Sequence, residues 1–360
     1  MKSYIIYSNM TAKEHIKRGA QYFKNGEFLK AINEYSKAIA IDPESAKALF
    51  ERGKAYFHLK EYDSATEDLT RAIRIDPERP ELYIARGNVF CGAQAHDKGL
   101  DDYSEAINLA PNDIHAYLNR GITYVEIGEP AEAIADFSKV LELASDNAEA
   151  YLNRGGAYTI LGKYDLAIAD IETAMNLNPK AAQGYAALGI ALASKGDNKN
   201  AINYYTGALS IDSQDKRTYV NRGLSYICDF NKMAAIADYS KAIEIDPEYA
   251  APYVFRGDAY IELWKYDEAI ADYNQAIRIN PRDAKTHITL GKIFEDSAIY
   301  HGEDWWESAV HHYSKALEIS PKSGEISILR GKAYSYKCKD DEAISDFSRA
   351  IEIDAFSGAK

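Results

Sequence analysis

Glycine recurs at Gly19, Gly53, Gly87, Gly121, Gly155, Gly189, Gly223, Gly257, Gly291 and Gly331, spaced by 34 residues except for one step of 40. A fixed period of this length means that the chain is built from one supersecondary unit, which cannot bury its own apolar face and must stack on copies of itself. The unit is clearest at 148–181. Tyr151, Leu152, Gly155 and Tyr158 stand at helical spacing, then Tyr164, Ala167, Ile171 and Ala174 do the same, and Asn178-Pro179 ends the run. Gly162 marks the break between two short helices, since glycine tolerates the left-handed backbone that turns one helix back on another.

Other columns follow the same period. Twelve residues after most of the glycines comes an alanine, as at Ala31, Ala65 and Ala133, with Gly99 in that place in the third unit. Pro43, Pro77, Pro111, Pro179, Pro247, Pro281 and Pro321 close seven units. A unit with glycine at its eighth place, Tyr or Phe at the eleventh, Ala at the twentieth and Pro at the thirty-second resembles the tetratricopeptide repeat. The resemblance implies an all-α fold, a right-handed α-solenoid (superhelix) of antiparallel helix pairs whose helix A lines a concave groove. The expected organisation is an N-terminal extension, 1–11, and ten repeats forming one solenoid. These are 12–45, 46–79, 80–113, 114–147, 148–181, 182–215, 216–249, 250–283, 284–323 and 324–357. The ninth carries six extra residues between its helices, within 297–304. Tyr4 to Tyr7 would cover the face of repeat one, or form an arm that reaches into a groove.

Composition narrows the functional classes. With 55 acidic and 42 basic residues, a net charge of -13 and no basic stripe, the chain would repel a phosphate backbone, so no nucleic-acid partner is expected. No run approaches the roughly 18 apolar residues of a membrane span. Cys91, Cys228 and Cys338 have no CxxC spacing, which suits a reducing compartment, and with no signal-peptide pattern at the N-terminus the expected location is the cytoplasm. Phosphate loops, nucleophile elbows and HExxH are absent, so neither catalysis nor a cofactor is expected. His311 and His312, adjacent on one helix, point in different directions, and no metal site is expected there or at His301.

Arginine precedes the signature glycine in eight repeats, at Arg18, Arg52, Arg86, Arg120, Arg154, Arg222, Arg256 and Arg330. An acid stands in helix B of the same eight, at Glu34, Asp68, Asp102, Asp136, Asp170, Asp238, Asp272 and Asp346. Where Leu188 and Leu290 replace the arginine, Tyr204 and His312 replace the acid. Base and acid vanish together, which predicts eight structural ion pairs fixing helix A against helix B within a repeat.

One place before the arginine, in the groove-facing position of helix A, stand Asn119, Asn153 and Asn221, with Ala187 breaking the row. An asparagine can donate and accept at once, so a row of them can pair with the backbone of an extended peptide whatever its side chains are. The row is similar to the asparagine ladders of peptide-binding repeat proteins, and Leu118, Ile122, Leu152, Val220 and Leu224 would give it an apolar lining. The carboxylate clamp of chaperone-binding members needs a lysine at the fifth place of a repeat. No repeat has one there.

A second surface is expected at the turn between helices. The first six repeats place glycine or a polar residue there, but repeats seven and eight place Phe230 and Trp264, and repeat nine adds Tyr300 and Trp305 on the same edge. No solvating helix follows repeat ten, which leaves an apolar end open to a homo-oligomer. The expected function is a non-catalytic protein-interaction scaffold that binds an extended peptide segment of another protein. The alternatives are a structural assembly protein, self-associating through its ends or the aromatic edge, and a regulatory subunit of an enzyme encoded elsewhere.

Overall fold

In a computed structural model of the chain, residues 10–301 and 303–357 are described, and side chains within 10–298 and 304–353. The apolar run at Tyr4 to Tyr7 and the side chain of Tyr300 lie outside the described residues. The described residues form twenty α-helices and no strand. By Cα packing they fall into two compact units, Met1–Lys195 and Gly196–Lys360.

The first unit holds α1 (Ala12–Lys24), α2 (Phe28–Ile41), α3 (Ala46–His58), α4 (Tyr62–Ile75), α5 (Pro80–Gly92), α6 (His96–Leu109), α7 (Ile114–Glu126), α8 (Pro130–Leu143), α9 (Ala148–Ile160), α10 (Tyr164–Leu177) and α11 (Ala182–Lys195). The second holds α12 (Asn198–Ile211), α13 (Lys216–Cys228), α14 (Lys232–Ile245), α15 (Ala250–Ile261), α16 (Tyr266–Ile279), α17 (Ala284–His301), α18 (Glu303–Ile319), α19 (Gly324–Tyr336) and α20 (Asp340–Ser357). Helix starts follow local chemistry. Thr11 and Glu14 close a capping box on α1, with the Glu14 N–H donating to Thr11 Oγ1 at 3.3 Å and the Thr11 N–H to Glu14 Oε2 at 2.7 Å. Asn147 caps α9 and Ser323 caps α19 by accepting a backbone N–H.

Within each unit the helices pair antiparallel across the periodic glycine. A Cβ on Gly155 would lie 2.6 Å from Ile171 Cγ1, so only glycine lets α9 and α10 come this close. Gly99, in place of the usual alanine, answers to a neighbour in the same way: a Cβ there would meet Cys91 Sγ at 2.4 Å. Around the insertion of repeat nine the described residues are helical. They lengthen both helices, to 18 residues in α17 and 17 in α18, against 13 in α9 and 14 in α10.

Seven of the eight expected ion pairs are present, each bidentate. Arg52, Arg86, Arg120, Arg154, Arg222, Arg256 and Arg330 donate through Nε and Nη2 to both carboxylate oxygens of Asp68, Asp102, Asp136, Asp170, Asp238, Asp272 and Asp346, at 2.7–2.9 Å. Each guanidinium also has a partner that the sequence analysis does not anticipate. Nη1 donates to a hydroxyl on helix B of the preceding repeat, Ser36, Thr70, Ser104, Ser138, Thr206, Ser240 or Ser314, at 2.8–3.2 Å. The arginine therefore joins repeat to repeat as well as helix to helix.

The eighth pair is corrected. Arg18 comes only to 3.9 Å from Glu34 and its side chain is 52% exposed. The longer Glu34 side chain instead bonds His15 Nδ1 and Lys37 Nζ, both at 2.8 Å.

Candidate functional site

In the first unit α5, α6 and α7 enclose a cleft of about 610 Å³, lined in part by Asn88, Tyr103 and Asn119 and walled at one end by Phe57. Helical geometry sets its polar floor. Asn88 follows the periodic glycine of α5 and Asn119 precedes the arginine of α7, so the two amides meet between adjacent A helices, where Asn119 Nδ2 donates to Asn88 Oδ1 at 3.0 Å. The same oxygen accepts from Tyr103 OH at 2.7 Å, and burial pushes the Tyr103 phenol pKa well above its usual value, so it stays a donor. With Asn88 Oδ1 doubly engaged and one Asn119 N–H spent, Asn119 Oδ1 and the Asn88 amide N–H groups make no hydrogen bond among the described residues.

Cys91 Sγ lies 3.4 Å from Thr123 Oγ1, whose hydroxyl donates to the Asn119 carbonyl at 3.0 Å. His96, at the start of α6, has a buried Nδ1 with no hydrogen bond among the described residues. Its nearest charged neighbour is Glu126 Oε2, at 3.9 Å.

The other expected groove residues are placed unevenly. Asn153 on α9 is half-buried and makes no side-chain hydrogen bond among the described residues, and Leu152 and Ile122 are half-buried, Ile122 lining the cleft. Leu118 belongs elsewhere. It is buried in the core with Phe137, Val140 and Ala150, because its position on α7 faces α8 and α9. Val220 is likewise buried in the second unit, against Ala235 and Tyr239. On α13 of that unit Asn221 is half-buried and Leu224 exposed. Sequence reasoning missed Asn88, Tyr103 and His96, since none shares the column of Asn119; the signal available was a second asparagine one place after a periodic glycine in the neighbouring repeat.

On the turn edge of the second unit Phe230 is 90% and Trp264 79% exposed, at φ +58° and +62°. Bulky residues rarely take this left-handed backbone. The Lys232–Glu262 ion pair at 2.9 Å holds the two turns side by side, and exposed Met233 extends the edge. Trp305 does not join it. Half-buried, it packs edge-on against Phe294 at 5.3 Å, and Trp306 is buried and stacked on Tyr336 at 4.3 Å.

His312 lies against His287, Nδ1 to Nδ1 at 3.1 Å. Among the described residues no group of three or more His, Cys, Asp or Glu side chains is placed to hold a metal ion. No helix among them is long and apolar enough to cross a membrane.

Models described as TPR repeat match residues 19–60 and 257–297, and models described as tetratricopeptide repeat match 46–79, 118–175, 161–216 and 216–249. Together they span more than half of the chain, which belongs to the tetratricopeptide repeat family. Among solved structures the chain is similar to a tetratricopeptide repeat protein from Parabacteroides merdae ATCC 43184, at 22% identity over 67% of this chain and 96% of that one, with a TM-score of 0.58. It is also similar to a chain of the APC/C hetero-tetramer Cut9-Hcn1, at 20% identity over 90% of this chain and 67% of that one, with a TM-score of 0.54. These likenesses concern the fold: antiparallel helix pairs in tandem. No curated protein matches the chain.

Proposed function

We propose that this protein is a non-catalytic scaffold whose first unit holds an extended segment of another protein along α5, α7 and α9. Proteins of this family generally mediate protein–protein interactions. The observation that carries the reading is the Asn119–Asn88 bond, which fixes two amides in the lining of a cleft of about 610 Å³, each with groups that make no bond among the described residues. Asn153, with no side-chain hydrogen bond among the described residues, continues the polar row, and a peptide backbone needs such alternating donors and acceptors. In the second unit Asn221 and Leu224 offer a shorter row of the same kind. The test is capture on an array of extended peptides. Asn119→Ala with Asn153→Ala is expected to abolish capture while leaving the helical circular dichroism intact, and undiminished capture would remove these residues from the site.

A second reading, self-association through the edge of Phe230, Met233 and Trp264, is favoured by one observation. Two large aromatics occupy exposed left-handed turn positions where four other repeats use glycine, Gly26, Gly128, Gly162 and Gly196. Light scattering over a concentration series is expected to show mass rising with concentration, and Phe230→Ser with Trp264→Ser is expected to abolish the rise. A mass that stays at 40.2 kDa throughout would end this reading.

A further inference from the structure

We infer that the cleft between α5, α6 and α7 is a specificity pocket for a cationic side chain, the lysine or arginine of a bound segment. The inference rests on the peptide-binding reading of the same site and adds the chemistry that would select the peptide. Eleven residues line the cleft, and Glu126 is the one among them that carries a formal charge at neutral pH. Its carboxylate is bonded to no lysine or arginine among the described residues; its nearest basic atom is His96 Nδ1, at 3.9 Å.

Polar side chains share the lining with that charge. Asn88 and Asn119, bonded to each other at 3.0 Å, line the same cleft as Glu126, and so does His96. Phe57 supplies an aromatic wall of the kind that attracts cations.

Other occupants fit less well. A carboxylate would meet the Glu126 charge with no lysine or arginine in the lining to offset it. A neutral amide would satisfy Asn88 and Asn119 but leave Glu126 with only water. A guanidinium or ammonium pairs with Glu126 and finds the Asn119 side chain in the same lining, and its alkyl stem has Ile122 and Phe57 to lie against. The cleft also sits in a chain of net charge -13, whose field draws cations.

The test follows the side-chain amide NMR signals of Asn88 and Asn119 in the full chain, titrated with n-butylguanidinium, n-butylammonium, n-butanol and butyrate at equal ionic strength. Saturable shifts with either cation, and none with butanol or butyrate, are expected. Glu126→Gln, at a largely exposed position whose loss leaves folding intact, is expected to weaken cation binding about tenfold. Equal shifts with butanol or butyrate, or an unchanged affinity in Glu126→Gln, would overturn the inference. Peptide arrays separate its failure from that of the peptide-binding reading. Capture that ignores lysine and arginine content and survives Glu126→Gln leaves the groove standing without the pocket. Cation binding without any peptide capture leaves the pocket standing without the groove.

Discussion

Arg154 touches two other helices at once, Asp170 on α10 through a fork of two bonds and Ser138 on α8 through its third nitrogen, with the Tyr151 and Tyr158 rings 5.7 and 5.9 Å from its guanidinium carbon. Both partners of the ion pair are largely removed from water, so loss of one leaves the other charge without compensation. Arg154→Ala is expected to cost about 3 kcal/mol, the low end of what breaking a buried pair costs, read from urea unfolding. Arg154→Leu combined with Asp170→Tyr, the pairing found in repeat six, is expected to recover most of it, and a double variant as unstable as the single would refute the pairing. Arg18→Ala is expected to leave the unfolding curve nearly unchanged, because that side chain is half exposed and its acid is bonded elsewhere. The pairs within repeats were legible in sequence because base and acid vary together inside one repeat. The hydroxyl partners follow the same rule one repeat earlier. Glu172 and Asn274 replace the Ser or Thr ahead of the two repeats that lack arginine, a covariation visible only when the columns are compared across the stacking direction.

At the scale of a helix pair, repeat nine shows what replaces the missing arginine. His312 on α18 sits in its acid position and meets His287 of α17, Nδ1 to Nδ1 at 3.1 Å, under the stacked ring of Phe294. Two imidazoles at this distance accommodate one proton between them. Burial, then His287 and His311, pushes the His312 pKa down to about 4, and burial lowers that of His287 as well. Asp283, Lys315 and Glu318 are the other charges acting on His287. The folded pair thus stays neutral where the unfolded chain, at its ordinary value of 6.5, takes up protons. The sign follows from linkage: the pair contributes its full stability above pH 6.5, and that stability is lost as pH falls from there toward about 4. Melting temperatures measured across this window are expected to fall more steeply for the native chain than for His312→Tyr, and parallel curves would show that the pair does not titrate on unfolding. The same pair of helices takes up the described residues of the insertion. Its residues extend a helix at each end, and Ser297 and Ala298 are buried by the added length.

Across the whole molecule, the first and last helices differ in how they meet solvent. Third and fourth in α1 stand Glu14 and His15, where α3 buries Ala48 and Leu49, so the first repeat presents polar groups. On α20, Ile344 and Ile351 are 62% and 70% exposed, although the residue equivalent to Ile351 in the second repeat, Ile73, is buried. Periodicity alone determined that the described residues are helical, that the helices pair, where the turns of the regular repeats fall and which acid seven of the eight arginines meet, because these depend on residues within one 34-residue repeat. Contacts between units were decided only by the tertiary structure. The packing between repeats bonds Asn119 to Asn88 and gives each paired arginine its hydroxyl, while packing of helix on helix sends Leu118 and Val220 into the core and turns Trp305 against Phe294. The physical reason is that a helical period fixes which face a residue occupies, whereas the neighbour that face meets depends on how one repeat is rotated and stacked on the next.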